Sequence, residues 1–215
     1  MPEASAAVLV HAPTAVNGTV HPGVRPCPPR RTSNAAKRLR EYLTLAEVEQ
    51  LVQVARVRGR YGARDAAMIL IAYRHGLRVA ELVGLRWEQV DFGAGLLHVN
   101  RVKRGTPSVH PLRGPELRVL RAMRRTGASA YVFTTERGAP MTAAGFRKLL
   151  ARTGAAAGLD LAVHPHMLRH ACGFKLANDG HDTRAIQHYL GHRNIAHTVR
   201  YTELSPQRFR TFWDD

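Results

Sequence analysis

The residues of this chain best suited to chemistry lie close together near its C-terminal end, between His164 and Tyr201. His166 and Arg169 are three positions apart, His192 follows a Leu-Gly pair, and Tyr201 lies nine positions beyond that histidine. Imidazoles can move protons, a guanidinium can bind an anion, and a phenol can act as a nucleophile. Together these groups could break a phosphodiester bond without a metal ion.

Two of these histidines also raise the question of a metal site. On a helix, His166 and His170 lie four positions apart on one side, and Arg169 projects from the same side. The zinc peptidase pattern has a glutamate between its two histidines, but here Met167, Leu168 and Arg169 stand between them. The fixed charge of Arg169 repels a divalent cation and attracts a phosphate, so we expect no metal or other cofactor. His170 itself is interpreted as a packing histidine bonded to the backbone.

Two basic side chains earlier in the chain, Arg78 and Lys103, add to these candidate catalytic residues. Gly76 ends one predicted helix and Val79 begins the next, so Arg78 lies at a helix N-terminus, where its guanidinium and free backbone amides can face one anion. Lys103 lies at the tip of a predicted β-hairpin. Glu81, one helical turn after Arg78, is expected to support that turn without taking part in the chemistry.

Local patterns predict the elements that carry these groups. Thr44 and Glu47 form a capping box before an apolar helical repeat, and alternation begins at Leu96. Helices are predicted from residue 44 onward and over residues 65–75, 79–85, 115–125, 142–156, 166–178 and 182–190, and strands over 96–102, 108–112 and 131–134. The predicted fold is mainly α with a small antiparallel β-sheet, an α+β class.

The composition indicates the kind of partner. The 215 residues include 32 Lys and Arg against 16 Asp and Glu, which gives a net charge of +16. Such a surplus favours an extended polyanion as partner, although a solubilising basic surface is the alternative. Residues 1–40, rich in Ala, Pro, Thr and Gly, are predicted to be a flexible basic tail before one domain over 41–215.

The cysteine content and the hydropathy of the chain indicate the cellular compartment in which the protein acts. Cys27 and Cys172 form no ligand spacing and no disulfide framework, which fits a reducing cytoplasm. No apolar run approaches the roughly 20 residues that span a bilayer, and no signal peptide pattern opens the chain. We therefore expect a soluble, cytoplasmic, nucleoid-associated protein without a membrane partner.

Taken together, these motifs resemble the catalytic domain of the tyrosine recombinases, the phage integrase family. The resemblance rests on the sequence GLRVAELVGLRW around Arg78, the hairpin Lys103, HMLRH at 166–170, LGH at 190–192 and Tyr201. It is closest to the short fimbrial phase-switch recombinases of the FimB/FimE type and covers about residues 42–213. Most of the family adds a helical DNA-clamping domain of about a hundred residues, which residues 1–40 are too few to form.

The resemblance implies a fold and a reaction. The fold would be the tyrosine recombinase catalytic-domain architecture, and the reaction would cleave and rejoin DNA through a 3′-phosphotyrosyl intermediate without metal or ATP. The implied catalytic residues are Arg78, Lys103, His166, Arg169, His192 and Tyr201.

In the implied roles, Tyr201 is the nucleophile and His166 removes its proton. Arg78 and Arg169 hold the non-bridging phosphate oxygens, and bidentate guanidinium geometry suits that task. His192 donates a further hydrogen bond to the phosphate, and Lys103 protonates the leaving 5′-oxygen.

The resemblance also implies partners. They are double-stranded DNA with inverted-repeat recombination sites, further copies of the chain in a homo-tetramer on that DNA, and host accessory DNA-bending proteins. The enzyme would be an invertase or an integrase of a bacterium or mobile element. A non-catalytic DNA-binding regulator derived from such an enzyme and a type IB-like topoisomerase are the alternatives.

Overall fold

The computed structural model describes residues 40–101, 105–127 and 129–203. Within these ranges the chain forms eight α-helices and one three-stranded sheet. The helices are α1 (Leu45–Val57), α2 (Gly62–Arg74), α3 (Val79–Val83), α4 (Gly114–Thr126), α5 (Ala143–Ala156), α6 (Pro165–Asn178), α7 (Thr183–Leu190) and α8 (Ala196–Glu203), and the strands are β1 (Val90–Asp91), β2 (Leu96–Val99) and β3 (Ser108–Pro111). The predicted fold class is confirmed. In the same ranges, no helix has the length and apolar character needed to cross a membrane.

Helix α2 lies at the centre of the core. Met68, Ile69 and Ile71 are fully buried, and the helix contacts α1, α4 and α6. Helix α1 begins with the predicted capping box, in which the Glu47 backbone N–H donates to Thr44 Oγ1 over 3.3 Å and the Thr44 N–H donates to Glu47 Oε2 over 2.7 Å. This cap satisfies backbone donors that have no partner within the helix.

The sheet is antiparallel with strand order β1, β2, β3, and the short strand β1 was not predicted. The predicted strand over residues 131–134 was wrong, because that segment forms only isolated bridges. Its backbone groups pair with loops: the Val132 N–H donates to Leu85 O over 2.9 Å, and Phe133 O accepts from the Met141 N–H over 2.9 Å. The predicted hairpin tip, including Lys103, lies outside the described residues, as does the predicted tail apart from Arg40.

Helices α7 and α8, the last two of the described chain, both contact α6. Gly191, with a φ of 65°, ends α7 as predicted, and α8 then packs against both α6 and α7. Helix α8 was not predicted, although the Asn194 side chain accepts a hydrogen bond from the Ala196 N–H over 2.9 Å at its start. Because α8 carries Tyr201, its contact with α6 determines where the phenol lies.

A buried polar cluster fixes the sheet to the helices. His75 Nε2 lies 2.9 Å from Glu116 Oε1, His75 Nδ1 lies 3.1 Å from His110 Nδ1, and His110 Nε2 lies 2.9 Å from Ser108 Oγ. Burial, together with the neighbouring His75 and Arg101, lowers the pKa of His110 to about 3. The cluster therefore joins β3 to α2 and α4 through a neutral His110 ring.

His110 makes stability dependent on pH. The unfolded chain binds a proton at this position below its ordinary pKa of 6.5, whereas the folded chain binds one only near pH 3. Stability is therefore complete above pH 6.5 and decreases as the pH falls toward 3, with a contribution of up to about 1.4 kcal/mol per pH unit. We expect His110→Gln to reduce the difference in unfolding free energy between pH 7 and pH 5, measured by urea denaturation.

His98→Gln is the matched control, because it removes an exposed imidazole from the adjacent strand β2. An equal change of the pH dependence in both variants would contradict the role of the buried ring.

Candidate active site

A cleft of about 450 Å³ brings together five of the six predicted catalytic side chains. They are Arg78, His166, Arg169, His192 and Tyr201. The sixth, Lys103, lies outside the described residues. The walls come from the start of α3, from α6, from the segment after α7 and from α8, so residues more than a hundred positions apart meet in one place.

Arg169 holds two walls of this cleft together. Its side chain is buried, and its guanidinium donates from Nη1 to Gly76 O and, over 2.7 Å, from Nη2 to Leu190 O. Burial lowers the pKa of Arg169 to about 10, and the charges of Arg78 and Arg101 act in the same direction. The group still carries its charge at neutral pH and joins the turn before α3 to the end of α7.

Glu81 supports Arg78, as predicted, and also binds a second arginine. Glu81 Oε2 accepts from the Arg78 backbone N–H, and Oε1 accepts from Arg78 Nη1, each over 2.9 Å. Oε2 also accepts from Arg101 Nη1 over 2.9 Å. Burial raises the pKa of Glu81, but the Arg78 hydrogen bonds and the Arg101 charge outweigh it and leave the pKa below its ordinary value.

Arg101 is a supporting residue that the sequence reading did not identify. Its side chain is fully buried, and it donates from Nη1 to Glu81 and from Nη2 to the Tyr189 carbonyl. Gly191 packs so closely that a Cβ there would lie 2.8 Å from Arg101 Cγ. Strand alternation could have identified it, because Leu97 and Val99 of β2 are buried and Arg101, two positions beyond Val99, is buried as well.

His192 borders the cleft and is held in place by α8. Its Nδ1 lies 2.8 Å from Oγ1 of the buried Thr198. Burial lowers the pKa of His192 to about 3, and the charges of Arg169 and Arg78 act in the same direction. The imidazole is therefore neutral at physiological pH, and a neutral ring can still donate one hydrogen bond.

The phenol of Tyr201 is enclosed within the core. The residue is 1% exposed, and its ring packs edge to face on Phe174 with 5.1 Å between centroids. Gly173 lies directly against the ring, where a Cβ would approach Tyr201 Cε2 to 2.7 Å. Burial raises the pKa of the Tyr201 phenol, and the charges of Arg169 and Arg200 counteract this only in part.

His170 does not fit the interpretation as a packing histidine bonded to the backbone. Its Nδ1 lies 2.8 Å from the Tyr201 hydroxyl, and the ring borders the cleft. Burial lowers the pKa of His170 to about 4, with Arg200 the next contributor. Because the phenol keeps its proton and the imidazole is neutral, the Tyr201 O–H donates and His170 Nδ1 accepts.

The described ranges contain no group of three or more His, Cys, Asp or Glu side chains placed to hold a metal ion. The cleft presents guanidiniums and imidazoles, with Glu41 at its margin. Its chemistry suits an anion that carries several acceptor oxygens.

Comparison with known proteins gives a consistent result. The family model described as the phage integrase family matches residues 41–208. The type 1 fimbriae regulatory protein FimB of Escherichia coli strain K12 is 40% identical over 188 residues, which are 85% of this chain and 94% of FimB. FimE of the same strain is 42% identical over 182 residues, 81% of this chain and 91% of FimE. The crystal structure of XerA recombinase superimposes with a TM-score of 0.68 at 25% identity, covering 80% of this chain and 63% of XerA.

Neutralising Glu81 tests the ion-pair arrangement around Arg78. We expect Glu81→Gln to lower the free energy of unfolding by about 3 kcal/mol, because Arg101 stays buried without a compensating charge. Urea denaturation at pH 7 measures the change.

Glu88→Gln is the matched control, because Glu88 forms an ion pair with Arg86 while its side chain is 71% exposed. An exposed pair contributes about 0 to 1 kcal/mol. Equal losses in the two variants would contradict the importance of the buried carboxylate.

Proposed function

This chain belongs to the phage integrase family, the tyrosine recombinases, and we propose that it carries out site-specific DNA recombination with Tyr201 as its nucleophile. One observation supports the assignment above others: the Tyr201 hydroxyl lies at a cleft bordered by three guanidiniums and by imidazoles. A packing tyrosine needs none of these neighbours, whereas a phenol that attacks a phosphate needs cations and a proton acceptor beside it.

In the proposed reaction, Tyr201 Oη attacks the scissile phosphorus. The phosphate becomes joined to the tyrosine as a 3′-phosphotyrosyl ester, and the 5′-oxygen of the other strand segment leaves. Negative charge grows on the non-bridging oxygens as the bond forms. Arg78 and Arg169 stabilise that charge because both are held by the protein before DNA arrives, so little reorganisation is needed during the reaction.

Arg78 is the better placed of the two for direct contact. Its side chain is 25% exposed, and it lies at the start of α3. His192 contributes a hydrogen bond to the same phosphate. Lys103, which lies outside the described residues, is proposed from the family resemblance as the acid that protonates the 5′-oxygen.

The phenol proton requires a base, since a buried phenol does not ionise unaided at neutral pH. The resemblance gives this task to His166, which borders the cleft one helical turn before His170. Because the new ester preserves the energy of the broken one, the reaction can be reversed by the 5′-hydroxyl of a second strand. That exchange rejoins DNA without nucleotide hydrolysis.

We propose double-stranded DNA with inverted-repeat sites as the substrate. The net charge of +16 supports binding to the phosphate backbone, which gives affinity and strong salt dependence. The chain is similar to FimB and FimE, both named as type 1 fimbriae regulatory proteins, and the proposed outcome is inversion or integration of a DNA segment. Assembly of four copies on the DNA and the use of host DNA-bending proteins belong to the same proposal.

Loss of the Tyr201 hydroxyl should abolish covalent chemistry. A suicide substrate is built from the inverted repeats in the DNA that flanks the gene, with a nick beside the cleavage site so that the released fragment escapes. In EDTA, the unmodified protein is expected to form a covalent adduct visible as a shifted band on a denaturing gel, and Tyr201→Phe is expected to form none.

Tyr61→Phe, which removes a hydroxyl from a tyrosine outside the cleft, should form the adduct at the normal rate. An adduct in Tyr201→Phe would overturn the assignment of the nucleophile. Salt-dependent binding without any adduct would favour the non-catalytic regulator, and relaxation of supercoils without recombinant products would favour the topoisomerase.

A further inference from the structure

We propose that His170 is a further catalytic residue, which accepts the proton of the Tyr201 hydroxyl as the tyrosine attacks the phosphate. This inference rests on the proposed role of Tyr201 as nucleophile. His170, and not His166 on the same face of α6, would then be the general base that removes the Tyr201 proton.

The geometry supports the choice of His170. Its Nδ1 and the Tyr201 Oη are 2.8 Å apart, which is the distance of a formed hydrogen bond. A base must lie within hydrogen-bond reach of the proton it removes, and His170 meets this condition in the protein without DNA. His166 lies one helical turn earlier, with its ring centroid 6.3 Å from that of His170.

The contact is held by residues that pack around the Tyr201 ring. Phe174 packs against the ring edge to face, and Gly173 leaves no space for the ring to move toward α6. The His192 ring stacks nearly parallel at 6.3 Å between centroids. Because α6 and α8 are packed helices, the hydrogen bond joins two rigid elements and does not depend on a loop.

Burial and the cations around His170 keep its imidazole unprotonated and also make it a weaker base than an ordinary histidine. The groups that act on it are His166 and Arg169 from α6, Tyr201 and Arg200 from α8, and Glu41 from the segment before α1. Burial and the cations make the imidazole neutral at physiological pH, so Nδ1 has a free lone pair for the phenol. A DNA phosphate in the cleft offsets the cations and stabilises the imidazolium that forms.

The proton and bond changes balance. As Tyr201 Oη bonds to phosphorus, its proton moves to His170 Nδ1, and the bond between phosphorus and the 5′-oxygen breaks. The leaving oxygen takes a proton from the acid proposed above, Lys103. In the rejoining step, the attacking 5′-hydroxyl returns a proton to that acid, and the His170 imidazolium returns its proton to the departing Tyr201 oxygen.

His170→Asn separates proton transfer from positioning. The asparagine Oδ1 can accept a similar hydrogen bond but cannot take up the proton. We expect the single-turnover rate of adduct formation on the suicide substrate to fall by about 10²- to 10³-fold at pH 7, within the range typical of general base catalysis. We also expect the remaining rate of adduct formation to rise by about tenfold per pH unit, because hydroxide replaces the base. In the unmodified enzyme, the rate should stop rising above the pKa of the His170 imidazole.

His166→Asn is the matched control from the same helix face, and it should keep the level profile of the unmodified enzyme even if its rate is lower. Fluorescence anisotropy with labelled DNA checks that binding is retained, and thermal unfolding checks that each variant folds. His170→Gln provides a second variant should the asparagine disturb the packing of α6 and α8.

The inference would be overturned if His170→Asn formed the adduct at a near-normal rate that does not change with pH. It would also be overturned if the rate rose with pH in His166→Asn and not in His170→Asn. These results differ from a failure of the proposed function. In that case the unmodified protein itself would form no adduct, or Tyr201→Phe would still form one.

Discussion

The buried guanidinium of Arg169 is the interaction on which the site depends. It donates to Gly76 O, 93 positions earlier in the chain, and to Leu190 O, 21 positions later. Hydrogen bonds from a charged donor are stronger than neutral ones, and a buried charge without such partners would be very costly. The fold therefore brings the turn before α3 and the end of α7 to Arg169, and Arg78 and His192 arrive with them.

The same region carries a surplus of positive charge that a substrate would neutralise. Arg78, Arg101 and Arg169 lie near one another, and Glu81 is hydrogen-bonded to the first two. Burial, together with their combined field, lowers the pKa of His192. A bound phosphodiester would add the missing negative charge, so the electrostatics that hold the imidazole neutral in the free protein also favour binding of DNA.

Much of this arrangement followed from sequence, because it depended on local rules. The capping box at Thr44, the stop at Gly191 and the shared face of His166 and Arg169 all reflect helix geometry, and each was predicted correctly. The assignment of catalytic roles, including that of Lys103, remains a prediction.

The features that the sequence did not predict arise from contacts between segments that are distant in the chain. The bond between His170 and Tyr201 depends on how α6 meets α8, which no spacing along one helix reveals. Arg101 was not identified, because arginine is rarely buried without a partner, and its partner Glu81 lies 20 positions earlier in the chain.

The absence of a side chain at Gly173 has a consequence for when the enzyme can act. The Tyr201 ring occupies the space above it as part of the hydrophobic core. Removing an aromatic side chain from a core typically costs about 3 to 5 kcal/mol, so a tyrosine that swings outward would leave a void of comparable cost. The free protein therefore keeps the ring in place, with its hydroxyl at His170 and beside the cleft, so the enzyme can act only when bound DNA carries a phosphate to the phenol. The hydrophobic core sets the position to which the scissile phosphate must be brought.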